Sequence, residues 1–158
     1  MMEKLDVLNQ VAAFHRTFKH PLPDEPAIPA KERCQLRLSL LKEELTELED
    51  AIQAGDLVAV ADAFCDLQYV LTGAVLEFGM ASKFKDLFDE VQRSNMSKSC
   101  VSLEEAKETQ LHYEKTKGVE SIIELSDDKF LVYRAEDRKT LKSINYSPAD
   151  LAAILFEK

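Results

Sequence analysis

Glu43, Glu44, Glu47, Asp62 and Asp66 are the residues whose types and spacing could do chemistry. Asp62 and Asp66 stand at i and i+4, which is one face of a helix. No Lys or Arg occurs between Lys42 and Lys83, so these acids have no local counter-charge. A carboxylate turned away from water costs several kcal/mol unless something compensates it. A hard divalent cation is the simplest compensation. Converging oxygen ligands suit Mg²⁺ or Mn²⁺. The competing interpretation of the first three acids is an ordinary solvated, Glu-rich helix face. The two aspartates are harder to explain that way, because Asp is a poor residue for a helix interior.

Two helices must position these acids. Leu36 to Ile52 is amphipathic at about 100° per residue. Leu36, Leu38, Leu40, Leu41, Leu45, Leu48 and Ile52 fill one arc, and Ser39, Lys42, Thr46, Glu49 and Asp50 fill the other. Glu47 and Glu44 fall inside the apolar arc, and Glu43 falls at its edge. Leu57 to Phe78 is apolar nearly all round, as expected of a helix buried on most sides. Tyr69 and Gly73 continue the line of Asp62 and Asp66. Ala54-Gly55-Asp56 is a short turn between the two stretches, so antiparallel packing brings both acidic faces together.

At these residues the sequence resembles the all-α nucleoside triphosphate pyrophosphohydrolases. That superfamily includes MazG, the dimeric dUTPases and phosphoribosyl-ATP pyrophosphohydrolase. The resemblance rests on Glu43-Glu44-x-x-Glu47, a short connection, and Asp66-Leu67-Gln68-Tyr69. It continues in Glu90-Val91-Gln92-Arg93-Ser94-Asn95-Met96-Ser97-Lys98 and in Lys139 to Leu151. It runs from Phe14-His15-Arg16 onward and omits about residues 100–136. One position departs from the pattern: Ala63 stands where the superfamily usually has a Glu, and the nearest acid is Asp62.

The resemblance implies a metal-dependent reaction of a nucleoside triphosphate with water, giving the monophosphate and pyrophosphate. Magnesium (or manganese) would neutralise the triphosphate and lower the pKa of a bound water. Glu44, Glu47 and Asp66 are the expected metal ligands, with Asp62 as an additional or alternative one. Glu43 is the candidate base that orients the attacking water. By resemblance, Asn95, Lys98, Lys139 and Lys142 meet sugar or phosphates. Tyr69 is a candidate for stacking on a base, or a core residue. His15 lies within an apolar arc, as a structural residue or a substrate contact. Two alternatives remain: phosphoribosyl-ATP as the substrate, or a non-catalytic helical module that binds metal or nucleotide, which Ala63 favours.

The rest of the chain frames this reading. Its 158 residues suffice for a single domain. Lys and Arg number 20 against 29 Asp and Glu, a formal net charge of −9. That argues against nucleic acid or an anionic membrane as a partner, since both call for a basic surface. Cys34, Cys65 and Cys100 are odd in number and widely spaced, which suggests neither a disulfide framework nor a zinc site. The internal acids of helix 57–78 argue for a soluble core, and the expected compartment is the cytoplasm.

Residues 3–19 read as a first helix with Leu5, Leu8, Val11, Ala12 and Phe18 inward. Pro21, Pro23, Pro26 and Pro29 make an extended connector. Ser82 is read as the cap of a helix that runs to about Lys98. Phe84, Phe88 and Val91 form its stripe, Asn95 and Lys98 continue it, and Arg93 points away. Ser102 and Glu105 form a capping box for a helix that Gly118 ends. Val119–Leu125 and Lys129–Arg134 read as a β-hairpin, with Thr140–Ser143 as a third short strand. Ser147 and Pro148 are expected to open a last helix. The expected fold is all-α, an antiparallel four- or five-helix core with a small β-hairpin insert near residues 119–143. A homodimer is expected, because helix 57–78 is apolar on more sides than one layer can cover.

Overall fold

Residues 5–156 are described by the computed structural model. They form six helices and one two-stranded antiparallel hairpin, the mostly helical fold expected. The chain divides into two compact units, Met1–Phe84 and Lys85–Lys158.

The first unit holds α1 (Val7–Thr17), α2 (Lys31–Ala54) and α3 (Leu57–Glu77). Asp6 caps α1, its carboxylate accepting from the Asn9 amide at 3.4 Å. Val11, Ala12 and Leu76 are buried together, flanked by Leu8 and Leu22. The helix is shorter than expected, and residues 3 and 4 lie outside the described ones. Leu5 and Phe18, expected inward, are 71% and 61% exposed, because α1 ends before Phe18 and begins after Leu5.

Only Gly55 and Asp56 separate α2 from α3, and Asp56 caps α3 by accepting from the Val58 and Ala59 amides at 3.0 and 3.1 Å. The two helices run antiparallel. Arg37, early in α2, reaches Glu77 at the end of α3, whereas Glu44, further along, lies near Asp66 and Asp62. By length and composition, α3 is apolar enough to cross a membrane. Its buried residues are confined to Ala63, Thr72, Gly73, Leu76 and Glu77. Burial on most sides is therefore not met within one chain. Leu57, Val58 and Phe64 on α3, and Leu38, Leu45 and Ile52 on α2, are exposed.

The proline-rich connector is fastened to the end of α3. Ala27 donates its N–H to the Phe78 carbonyl at 3.0 Å. Gly79 has φ +69°, and a Cβ there would lie 2.0 Å from the Glu25 carbonyl oxygen, so the chain can pass only over a glycine.

The second unit contains α5 (Leu103–Lys117), β1 (Ser121–Ser126), β2 (Lys129–Arg134) and α6 (Leu151–Phe156), and α4 (Phe84–Met96) leads into it. The strands pair from Ser121↔Arg134 to Ser126↔Lys129. Cys100, Ala106, Val132 and Leu141 form the core between α5 and the hairpin. Ser102 caps α5 as expected, accepting from the Glu105 amide at 3.2 Å. The Glu105 carboxylate reaches back one residue further than a capping box requires, to the Val101 N–H at 2.9 Å.

Three local expectations are corrected. Helix α4 starts two residues after Ser82, which lies in the turn before it. The third strand reduces to one bridge between Thr140 and Tyr133. Helix α6 starts at Leu151, with Asp150 accepting from the Ala153 amide at 3.2 Å. Ser147 instead accepts from Arg93 Nη1 at 3.0 Å, which holds residues 146–150 in an irregular course.

Candidate active site

The α2–α3 hairpin brings the five predicted carboxylates into one electrostatic neighbourhood. Glu44 is half-buried, and Glu43, Glu47, Asp62 and Asp66 are exposed. Partial burial pushes the Glu44 carboxyl above its usual range, and the charges of Glu47, Asp66, Glu43 and Asp62 push it further the same way. Among the described residues, no three His, Cys, Asp or Glu side chains are already gathered as a cage for an ion. The donors fit a hard cation in kind, since all are carboxylate oxygens on two facing helices. Closing around an ion would require their side chains to turn towards one another. Ala63, the departure from the family pattern, is 4% exposed and serves packing.

About two turns from the acids along α2, and three along α3, lies a buried polar network. Glu77 accepts from Arg37 Nη2 at 2.5 Å and from the Arg33 guanidinium. Burial alone raises a carboxyl, but the hydrogen bonds from Arg37 and Arg33 outweigh it and hold Glu77 below the usual carboxylate range. Arg37 Nη2 also meets His15 Nε2 at 3.3 Å. A guanidinium can only donate, so Nε2 must accept. The other ring nitrogen, Nδ1, lies 3.0 Å from the Pro21 carbonyl, which can only accept. His15 is therefore the neutral Nδ1–H tautomer. Burial lowers its pKa, and the charges of Arg37 and His20 act the same way against the Pro21 hydrogen bond. Gly73 makes room for the contact: a Cβ there would lie 2.8 Å from Arg37 Nη1 and 3.1 Å from His15 Nε2.

His15 is thus buried, with both nitrogens engaged inside the protein. Tyr69 is 40% exposed and packs edge-on against Phe14, with ring centroids 5.6 Å apart. It borders a cavity of about 500 Å³ beside α1 and α3 that Gln10, Phe64 and Gln68 also line.

In the second unit, Lys98 Nζ donates to Asn95 Oδ1 at 2.8 Å. The Lys142 ammonium sits 4.1 Å from the centre of the Tyr146 ring. The Tyr146 hydroxyl is 2.9 Å from Ser94 Oγ. That hydrogen bond, with help from Lys142 and Lys98, holds the phenol below its usual range. Asn95, Lys98 and Lys142 therefore gather near Tyr146, and Lys139 stands with Lys117 and Arg134 around a hollow that Lys142 also lines. Arg33, Arg37, Glu77 and Tyr146 were not singled out from the sequence. An acid ending an apolar helix was the available signal for Glu77.

Two comparisons bear on this arrangement. An uncharacterised protein of Acanthamoeba polyphaga mimivirus is 26% identical over 235 aligned residues, covering 89% of this chain and 92% of that protein. The family described as phosphoribosyl-ATP pyrophosphohydrolase matches residues 11–95, a stretch that holds most of α1, the whole acidic hairpin and most of α4. That match spans more than half of the 158 residues, and with the acid-bearing α2–α3 hairpin it means that the chain belongs to the phosphoribosyl-ATP pyrophosphohydrolase family, within the MazG-like nucleoside triphosphate pyrophosphohydrolase superfamily.

Proposed function

We propose that this pyrophosphohydrolase-family chain is a metal-dependent enzyme that splits a nucleoside triphosphate into the monophosphate and pyrophosphate. The gathering of Glu47, Asp66, Glu43 and Asp62 around Glu44 from two antiparallel helices is the observation that carries the reading. Glu44, Glu47 and Asp66, with Asp62 beside them, would hold Mg²⁺ or Mn²⁺. When bound, the ion supplies charge neutralisation and a more acidic water. Glu43, exposed at the edge of the cluster, orients the attacking water and takes its proton. Water oxygen bonds to the α-phosphorus, the bond to the bridging oxygen breaks, and pyrophosphate leaves. Asn95 and Lys98 are the proposed sugar or phosphate contacts, and Tyr69 the proposed neighbour of the base. Phosphoribosyl-ATP is the second reading for the substrate, favoured by the family description, and it undergoes the same bond cleavage.

The proposed assembly is a homodimer. Exposed Leu38, Leu45 and Ile52 on α2, and Leu57, Val58 and Phe64 on α3, supply the apolar surface that a second copy would cover. Light scattering at micromolar concentration reads it directly, and a monomer refutes it.

Pyrophosphate release, measured over canonical NTPs, dNTPs and phosphoribosyl-ATP with Mg²⁺ and with Mn²⁺, tests the activity. Glu47→Gln and Asp66→Asn should lower turnover by at least about a hundredfold, the scale seen on losing a group that stabilises charge. Both should also abolish most of the Mg²⁺-induced rise in melting temperature. Full metal-dependent turnover in either variant would make the cluster structural and sink the reading.

A further inference from the structure

Strand β1 has one bonded edge and one open edge. On β2, Phe130 spends both backbone groups on Cys100, the Val132 carbonyl accepts from Leu141, and the Arg134 N–H donates to the Lys139 carbonyl. These three residues therefore turn their backbone groups away from β1. The register sets Ser121 opposite Arg134, Ile123 opposite Val132 and Leu125 opposite Phe130. Alternation along an antiparallel ladder then turns Ser121, Ile123 and Leu125 away from β2. Gln110 Nε2 donates to the Ser121 carbonyl at 2.5 Å. Among the described residues, the N–H and C=O groups of Ile123 and Leu125 have no hydrogen-bond partner. Asp127, with φ +50°, turns the chain beyond them.

An open edge is a template for another strand, and proteins usually blunt it with Lys, Pro or an unpaired charge. Ser121–Ser126 contains neither Lys nor Pro. Its one charge, on Glu124, is already matched: Arg138 donates from Nη1 and Nη2 to its two oxygens at 2.9 Å each. Leu125 is 66% exposed, and Ile123 is half-buried on the same face, against the core of α5 and the hairpin.

This edge is complementary to itself. We propose that β1 pairs antiparallel with β1 of a second copy about a two-fold axis at Glu124, giving a four-stranded sheet. Ile123 exchanges both backbone hydrogen bonds with Leu125 of the second copy, and Leu125 with its Ile123, so the four open groups of each chain are satisfied. The same pairs set exposed Leu125 beside Ile123 of the other copy, an apolar cross-strand contact on the face that α5 covers. On the opposite face Glu124 meets Glu124 of the second copy. Two bare carboxylates there would repel, but each arrives paired with Arg138. A register two residues away would aim the Leu125 N–H at the Ser121 carbonyl that Gln110 holds. The interface goes beyond the reaction proposed above and uses none of the exposed apolar residues of α2 and α3.

A disulfide trap on the full chain tests it. Residues opposite each other in a non-hydrogen-bonded pair have Cα atoms about 4.5 Å apart, within the span of about 4.4–6.8 Å that a disulfide bridges. Cys65 is exposed, so Cys65→Ser is the background. In it, Glu124→Cys with oxidised glutathione should give a covalent dimer. Ile122→Cys, which faces Ser126 of the second copy, should not. Leu125→Pro removes an outward N–H and leaves the β1–β2 ladder intact, so adding it should abolish the Glu124→Cys cross-link. In the otherwise unaltered chain, the association step that Leu125→Pro removes in sedimentation should weaken at least about tenfold in Arg138→Gln, which opposes two bare carboxylates, and return in Arg138→Gln/Glu124→Gln. Cross-linking of Glu124→Cys no greater than that of Ile122→Cys overturns the pairing and leaves the edge to an extended segment of some other chain. A cross-link that survives Leu125→Pro with an unchanged far-UV spectrum overturns it too, as does association of Arg138→Gln as tight as the wild type's. The trap reads β1 alone, so its failure is separate from that of the helical dimer and of the reaction.

Discussion

Replacing Glu77 with glutamine keeps the shape of the side chain and removes its charge. The Glu77 side chain is 1% exposed, Arg37 is 8% exposed and Arg33 is 33% exposed. Breaking a buried pair by removing one partner costs about 3–5 kcal/mol, because the remaining charge stays buried. Arg33 can turn partly towards water, so its share is discounted. Arg37 cannot, and among the described residues its Nε already has no hydrogen-bond partner. The loss should therefore fall near the low end, about 3 kcal/mol. For a chain of this length that is a fall in melting temperature of about 6–12 °C. The protein has no tryptophan, so far-UV circular dichroism is the probe. The pH dependence has a definite sign. The folded-state pKa of Glu77 lies below its reference of 4.5, so its contribution is complete above that value and is lost as pH falls through the folded pKa. The gap between wild type and variant should be full at pH 7 and narrow below about 4.5. A variant within about 0.5 kcal/mol of wild type at pH 7 would refute the network as a stabilising element. A full gap that does not change with pH would assign the effect to the acceptor oxygen lost to the amide NH₂ rather than to charge.

Two further outcomes follow from the same unit. Gly73→Ala should destabilise by about 1–2 kcal/mol, since crowding Arg37 and His15 costs about 1–3 kcal/mol and the helix-propensity gain returns at most about 1; a more stable variant in denaturant titration would show that Arg37 yields without loss. Glu44→Gln should raise the metal-free melting temperature at pH 7. The raised pKa of Glu44 means that the folded state is penalised above that pKa, so the difference should close as pH falls to its reference of 4.5. A difference that persists at pH 3 would show that the acids do not repel one another.

The parts legible in the sequence are those whose signal is local. The acidic hairpin was readable because Glu43-Glu44-x-x-Glu47 and Asp62-x-x-x-Asp66 each stand on one helix, and Gly55 marks the reversal. The Arg33–Arg37–Glu77 network was not, because its partners lie 44 and 40 residues apart and meet only after α2 and α3 have packed. Phe18 and Leu5 carried the right hydrophobic period but fall outside the ends of α1, where a period no longer dictates a face. Ser147 and Pro148 have the composition of a helix start. The Arg93 guanidinium takes Ser147 Oγ and the Pro148 carbonyl at 3.0 Å each, and the helix waits until Leu151. The hollow around Lys117 and Lys139 depends on a fold in which the ends of α5 and β2 meet the segment after β2, and no spacing announces it.

The tautomer of His15 has a spectroscopic consequence. A ring proton fixed between Nδ1 and the Pro21 carbonyl exchanges with water only when α1 and the connector part company. Its ¹H–¹⁵N correlation would therefore stand apart from those of His20 and His112, whose rings are less enclosed. The ¹⁵N-enriched fold thus contains its own reporter, one resonance whose decay in D₂O times the opening of the first unit without any attached probe.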